Sequence, residues 1–239
     1  MSTDRKSAIW VGALYIVATV FPVAAMGPWG ALVDGDGILV NAATHEGQMI
    51  AVALLNLVMA ITVAGVAFMI YPVLRRAADT GVKQGLALWY VGTRITEGGA
   101  FLVAILATLA FLPLSRDFVA AGAPDGSYYQ TISTMLQSAS DQAYALGQSV
   151  FAVGAAMLYY LLLRSRLVPT WLSLWGLVAA PLFLVASLSL LWTEDPNSTF
   201  STVLYAPIAI QEMVLALWLI LKGFNSAALA SAPDTAEAR

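Results

Sequence analysis

Three ionisable side chains stand inside apolar runs where a charge is expensive to keep. Arg94 and Glu97 lie three residues apart in one such run, and Glu212, with Gln211 beside it, lies in the middle of another. A charged group at membrane depth costs several kcal/mol unless it is paired or faces a cavity. A spacing of three puts Arg94 and Glu97 on one helix face, and Tyr90 and Phe101 continue that stripe at i−4 and i+7 from Arg94. One guanidinium and two carboxylates in apolar surroundings can do one of two things. They can pair as a clasp that fixes how two helices meet, or they can line a pocket that binds a polar head group or moves a proton. One Arg against two Glu leaves a net charge of −1 if all are ionised, which a low-dielectric interior disfavours. Glu97 is the better placed partner for Arg94, so Glu212 is the expected proton carrier if the three meet.

The elements that must position these residues follow from composition. Of 239 residues, 60% are hydrophobic and only 10% charged, against about 25% charged in a soluble domain. Such a chain has too little polar surface to face water and is expected to sit in a lipid bilayer. With no Cys and a single His, a disulfide framework, a thiolate nucleophile, a cysteine zinc site and a bis-His haem are all excluded. A formal net charge of −3 and the lack of a basic stripe interleaved with aromatics argue against a nucleic-acid partner. No G-x-S-x-G, P-loop, G-x-G-x-x-G or H-E-x-x-H pattern occurs, so no cofactor and no metal site are expected. Asp34 to Gly37, with His45 and Glu46 further on, lack the ligand spacing of a calcium loop and read as a turn with solvated acids.

A crossing of a core about 30 Å thick needs about 20 mostly apolar residues. Six runs qualify, at 9–25, 49–74, 86–112, 143–163, 171–192 and 202–221. The first follows Arg5 and Lys6 and ends in Val23, Ala24 and Ala25, the outline of a signal peptide; it is expected to persist as the first crossing. On the third, Arg94 and Glu97 fall about 12 Å and 16 Å from the nearer end. The fold class is therefore all-α: a polytopic bundle of six transmembrane helices over 1–224, with a loose tail at 225–239. In the second outer loop Tyr128, Ile132, Met135 and Leu136 lie on one face, which predicts a short helix lying flat at the interface. An even number of crossings puts both termini on one side. Placing them in the cytoplasm gathers nine Lys and Arg there and leaves Arg116 outside, which is the bias expected of an inner-membrane protein.

Milder polar groups within the spans, Tyr15, Asn56 and Gln148, are expected to make interhelical hydrogen bonds. Gly98, Gly99, Gly147 and Gly154 are packing signals, and Pro181 and Pro207 predict kinks in the last two helices.

Several segments look familiar. The run from Trp89 to Glu97 resembles the R-x-x-E helix of a bacterial integral membrane family labelled domain of unknown function 4386. Phe151, Leu158, Tyr159, Tyr160, Arg164, Ser165, Pro169, Trp171, Leu172 and Gly176 are similar to its central segment. Glu212, Leu217, Trp218, Leu219, Lys222 and Gly223 resemble its C-terminal signature. The resemblance covers most of the chain from about residue 47 onward. It implies a six-helix inner-membrane protein in which Arg94, Glu97 and Glu212 are family features, and it supplies no substrate.

Two functions compete. In the first, a lipid, another small hydrophobic or amphipathic molecule, or a proton is bound or transported at a site made of Arg94, Glu97, Glu212, Tyr90 and Gln211. In the second, the chain is a structural or accessory subunit of a membrane complex, a homo-oligomer or a partner to another membrane protein, and the cluster is a clasp. Catalysis ranks third, since Glu97 and Glu212 could serve as acid and base but no nucleophile accompanies them. A cavity that reaches the cluster would favour the first function, a filled bundle the second.

Overall fold

The computed structural model describes residues 3–34, 37–124, 128–192 and 199–230. Among them the elements are α1 (Thr3–Val33), α2 (Ile38–Thr44), α3 (Glu46–Ala77), α4 (Gly81–Ala120), α5 (Tyr128–Ser165), α6 (Thr170–Ser189), α7 (Thr199–Leu221) and α8 (Ser226–Ala230). All but α2 and α8 are long and apolar enough to cross a membrane. The chain is an all-α, multi-pass membrane protein. In a bilayer every backbone polar group must be satisfied within the segment, and helices do this without help. Prolines 22, 28, 72, 113, 181 and 207 all lie within helices, which continue through them.

The helices outrun the apolar windows. α4 has 40 residues and α5 has 38, so each is close to 60 Å long, about twice the hydrocarbon thickness. The separate interfacial helix expected around Tyr128 to Leu136 is not there: those residues form the first turns of α5. Hydropathy starts the crossing at Ala143, but Gln137 to Gln142 contain neither Gly nor Pro, so nothing ends the helix between the two parts. Among the described residues, the short helix that links two crossings is α2, between α1 and α3. There Asn41 donates to the carbonyls of Leu32 (3.1 Å) and Asp34 (2.7 Å). Gly35 and Asp36 of the acidic turn lie outside the described residues, while Glu46 meets Arg116 (2.5 Å).

Each long helix packs on its neighbours in sequence, and α7 returns to pack on α1. The six crossings thus form a closed ring in chain order. Small residues let the backbones approach. A methyl group added to Gly98 on α4 would lie 2.8 Å from the Ala60 carbonyl oxygen of α3, and one added to Gly12 on α1 would lie 2.6 Å from the Ala216 carbonyl oxygen of α7. Where α1 and α7 meet, the Arg5 guanidinium donates to the carbonyl of Leu219 (2.9 Å) and to that of Ile220. A cation there satisfies orphan carbonyls and opposes the negative end of the helix dipole. Gly223, at a φ of 79°, ends α7, and the Asn225 amide N–H then reaches the Leu167 carbonyl (2.9 Å), tying the start of α8 to the α5–α6 turn.

The end of the ring bearing Arg5 will be called the terminal end, and the other the α2 end. At the terminal end Thr80 caps α4 by accepting from the Lys83 backbone N–H (3.3 Å). The Lys83 ammonium hydrogen-bonds the exposed Asp79 (2.5 Å) and holds its carboxyl below the usual range. The terminal half of the ring is filled: Val66, Ile70, Tyr90, Leu158, Tyr159, Leu162 and Leu215 are all buried in one continuous core. The α2 half is different.

Candidate functional site

In the α2 half the helices enclose a cavity of about 450 Å³, within the roughly 300–1,000 Å³ of small-molecule sites. Five helices supply its wall from stripes at helical spacing. These are Tyr15, Thr19, Pro22, Met26 and Trp29 on α1; Val52, Asn56, Met59 and Val63 on α3; Arg94, Glu97, Phe101 and Thr108 on α4; Ser140, Asp141, Tyr144, Gln148 and Phe151 on α5; and Ile208, Ala209 and Glu212 on α7. From α6 comes Phe183. The residues nearest the filled core, Tyr15, Val63, Arg94, Phe151 and Glu212, form its floor.

The floor has a fixed part and a free part. Arg94 is 3% exposed and its Nη1 lies 2.8 Å from Oε2 of Glu97, equally buried one turn along. Its Nε–H donates to the Val63 carbonyl across on α3 (3.3 Å), and its guanidinium carbon stands 5.0 Å from the centre of the Phe151 ring on α5. One side chain thus links three helices by an ion pair, a hydrogen bond and a cation–π contact. Glu212 is half-buried and borders the same cavity floor as Arg94, Glu97 and Tyr15. It forms no ion pair and no hydrogen bond among the described residues, and its carboxylate borders the cavity.

Of the residues the sequence nominates, Arg94, Glu97 and Glu212 therefore converge. Tyr90 is buried in the core beneath the floor and does not line the cavity. Gln211 points away from it. The Tyr159 hydroxyl donates to Gln211 Oε1 (2.5 Å), and Gln211 Nε2 donates to the Leu172 carbonyl (3.0 Å), so Gln211 ties α5, α6 and α7 together. Gln148 makes the interhelical bond expected of it, accepting from the Tyr205 hydroxyl (2.9 Å). Asn56 bonds within its own helix, to Val52 (2.9 Å). Both also line the cavity, as does Tyr15.

The sequence reading missed the upper wall. Asp141, Tyr144, Gln148 and Phe151 recur at i, i+3, i+7 and i+10, a polar and aromatic stripe that periodicity could have revealed. Asp141 lies before the apolar window that begins at Ala143, and of the members inside the window only Gln148 stands out by polarity, so the stripe does not show as a unit in hydropathy. Asp141 accepts from Gln137 (2.9 and 3.0 Å) and is exposed at the rim. The aromatic rings support each other: Phe101 with Tyr144 at 5.5 Å, Phe151 with Phe183 at 5.0 Å and Phe183 with Tyr205 at 4.6 Å between centroids.

The seam between α1 and α7 changes along its length. At Gly12 and Ala216 the backbones nearly touch. About three turns further along α1 and two turns back along α7, the same stripes carry Val23 and Ala209. Both line the cavity, yet Val23 is 59% exposed and Ala209 is also exposed. The exposure of two lining residues from facing helices points to a side window at that level.

The chain belongs to the family described as Domain of unknown function (DUF4386), whose pattern matches residues 10–223. The match takes in the first crossing and α2, which the resemblance from residue 47 onward left out. Comparisons with curated proteins and with solved structures find no match.

Proposed function

We propose that this member of the DUF4386 family binds and transports a small amphipathic molecule, held in the central cavity with its polar end at Arg94, Glu97 and Glu212. The observation that carries the reading is the unpartnered Glu212 carboxylate on the floor of a 450 Å³ cavity. An ionisable group inside a membrane marks a site by default, and a group needed only to hold helices together would have a partner. The wall suits an apolar body and the floor a polar end, which is how small-molecule sites divide their work.

The termini lie on the cytoplasmic side of a bacterial inner membrane in this reading. Eight described Lys and Arg gather at the terminal end, against Arg116 at the other, which supports that orientation by the positive-inside rule. The cavity then opens toward the outer leaflet and is blind toward the cytoplasm.

The accessory-subunit reading keeps one observation in its favour, since Arg94 with Glu97 is a clasp between α3, α4 and α5. The clasp accounts for two of the three ionisable residues and leaves Glu212 without a role. Native mass spectrometry from lipid nanodiscs decides between the readings. The wild-type chain is expected to retain one amphipathic molecule that Ala18→Trp, a substitution on the cavity wall, excludes. Identical adducts on both would overturn the binding reading.

A further inference from the structure

The lining of the cavity is unequal in charge. It holds three carboxylates, Glu97, Glu212 and Asp141, and one cation, Arg94, with no Lys. Arg94 is spent on Glu97, so the charge offered to an occupant is that of Glu212 at the floor and Asp141 at the rim. Asp141 is met by the Gln137 amide rather than by a cation. An anionic head group arriving at this floor would find its natural partner already paired and an unpaired carboxylate beside it. A cationic one would find an unpaired acceptor.

The walls point the same way. Tyr15, Trp29, Phe101, Tyr144, Phe151 and Phe183 all border the space. The face of an aromatic ring carries negative potential and attracts a cation within about 6 Å, more strongly the drier the site. The Arg94–Phe151 contact is an internal example of the same preference. Aromatic walls with a carboxylate at the end hold a bulky organic cation without the bidentate geometry that an anion would need from Arg.

We infer that the cavity takes a lipophilic organic cation, an amine or quaternary onium, with its charge between Glu212 and the aromatic walls. The inference rests on the cavity being a binding site and adds the sign of the occupant's charge.

Tetraphenylphosphonium and tetraphenylborate share size and shape and differ in sign, so they isolate the charge preference. Binding of each is measured by equilibrium dialysis against the full-length protein in nanodiscs, with empty nanodiscs subtracted. Tetraphenylphosphonium is expected to bind saturably at one site, about tenfold tighter than to Glu212→Gln, with Glu212→Asp retaining most of the affinity and Asp141→Asn losing a smaller share. Ala18→Trp is expected to abolish that binding. If tetraphenylborate binds as well or better, or the cation ignores both Glu212→Gln and Asp141→Asn, the charge inference is overturned while sensitivity to Ala18→Trp still supports a binding cavity. If bound ions are indifferent to Ala18→Trp, they are not in the cavity and both readings lose their support. Should Glu212→Gln fail to fold, the rim variant Asp141→Asn carries the test alone.

Discussion

Arg94 and Glu212 both border the cavity floor but form no ion pair; the guanidinium is engaged instead by Glu97, the Val63 carbonyl and the Phe151 ring. Two acids in one cluster therefore have different jobs, and substitution should separate them. Glu97→Gln removes the partner of a buried guanidinium and is expected to cost about 3–5 kcal/mol. Glu212→Gln removes a group with no partner and is expected to change stability by less than about 0.5 kcal/mol. Melting curves of the two variants in nanodiscs, followed by tryptophan fluorescence, check the difference; equal losses would mean that Glu212 is part of the clasp.

Neighbouring glycines on α4 offer a second contrast. A methyl group at position 98 would press on the Ala60 carbonyl oxygen at 2.8 Å, whereas one at position 99 meets nothing within 4 Å. Overpacking against backbone costs about 1–3 kcal/mol. Replacing an exposed helical Gly with Ala gains up to about 1 kcal/mol. Gly98→Ala is thus expected to lower the melting temperature and Gly99→Ala to leave it unchanged or raise it. The opposite order would place the α3–α4 contact on the wrong face.

Gln211 provides a third. Its amide bridges Tyr159 and Leu172 outside the cavity, so Tyr159→Phe leaves a buried acceptor short of a donor at a cost of about 1–3 kcal/mol. Tetraphenylphosphonium affinity, scored on the variant that remains folded, is expected to stay within twofold of wild type, about 0.4 kcal/mol. A large loss of affinity would bring Gln211 into the site.

The reach of the sequence can be judged from particular residues. The six crossings were legible because hydropathy over about 20 residues is the strongest signal a membrane imposes. The pairing of Arg94 with Glu97 was legible because i,i+3 neighbours share a face whatever the tertiary structure. What lies between Glu212 and Arg94 was not, since it depends on α7 closing the ring onto α1, a contact made by Gly12 and Ala216 that no local pattern announces. Gln211 and Glu212 show the limit best. Adjacent residues on a helix point about 100° apart, and which of the two faced the cavity could only come from the fold. The resemblance from residue 47 onward pointed to the family without its first crossing, the helix that supplies one whole side of the cavity.

The window between Val23 and Ala209 leads to the last test. An occupant with an apolar body is most concentrated in the bilayer, and an opening between two crossings gives it a route that never passes through water. The terminal half of the seam cannot serve, because Gly12 lies against the Ala216 backbone and Arg5 binds the end of α7. The chain has no Cys, so Val23→Cys with Ala209→Cys introduces two thiols and no others. Bridging them with a short bis-maleimide should close the window while leaving Glu212 and the aromatic walls in place. The expected outcome is kinetic: tetraphenylphosphonium loaded before bridging leaves the protein at least tenfold more slowly, and added after bridging enters equally slowly, while the single-cysteine variants treated alike exchange as wild type does. Unchanged exchange rates in the bridged protein would mean that the occupant passes through the α2 end instead, past Trp29 and Asp141, and the side window would then be a seam without traffic.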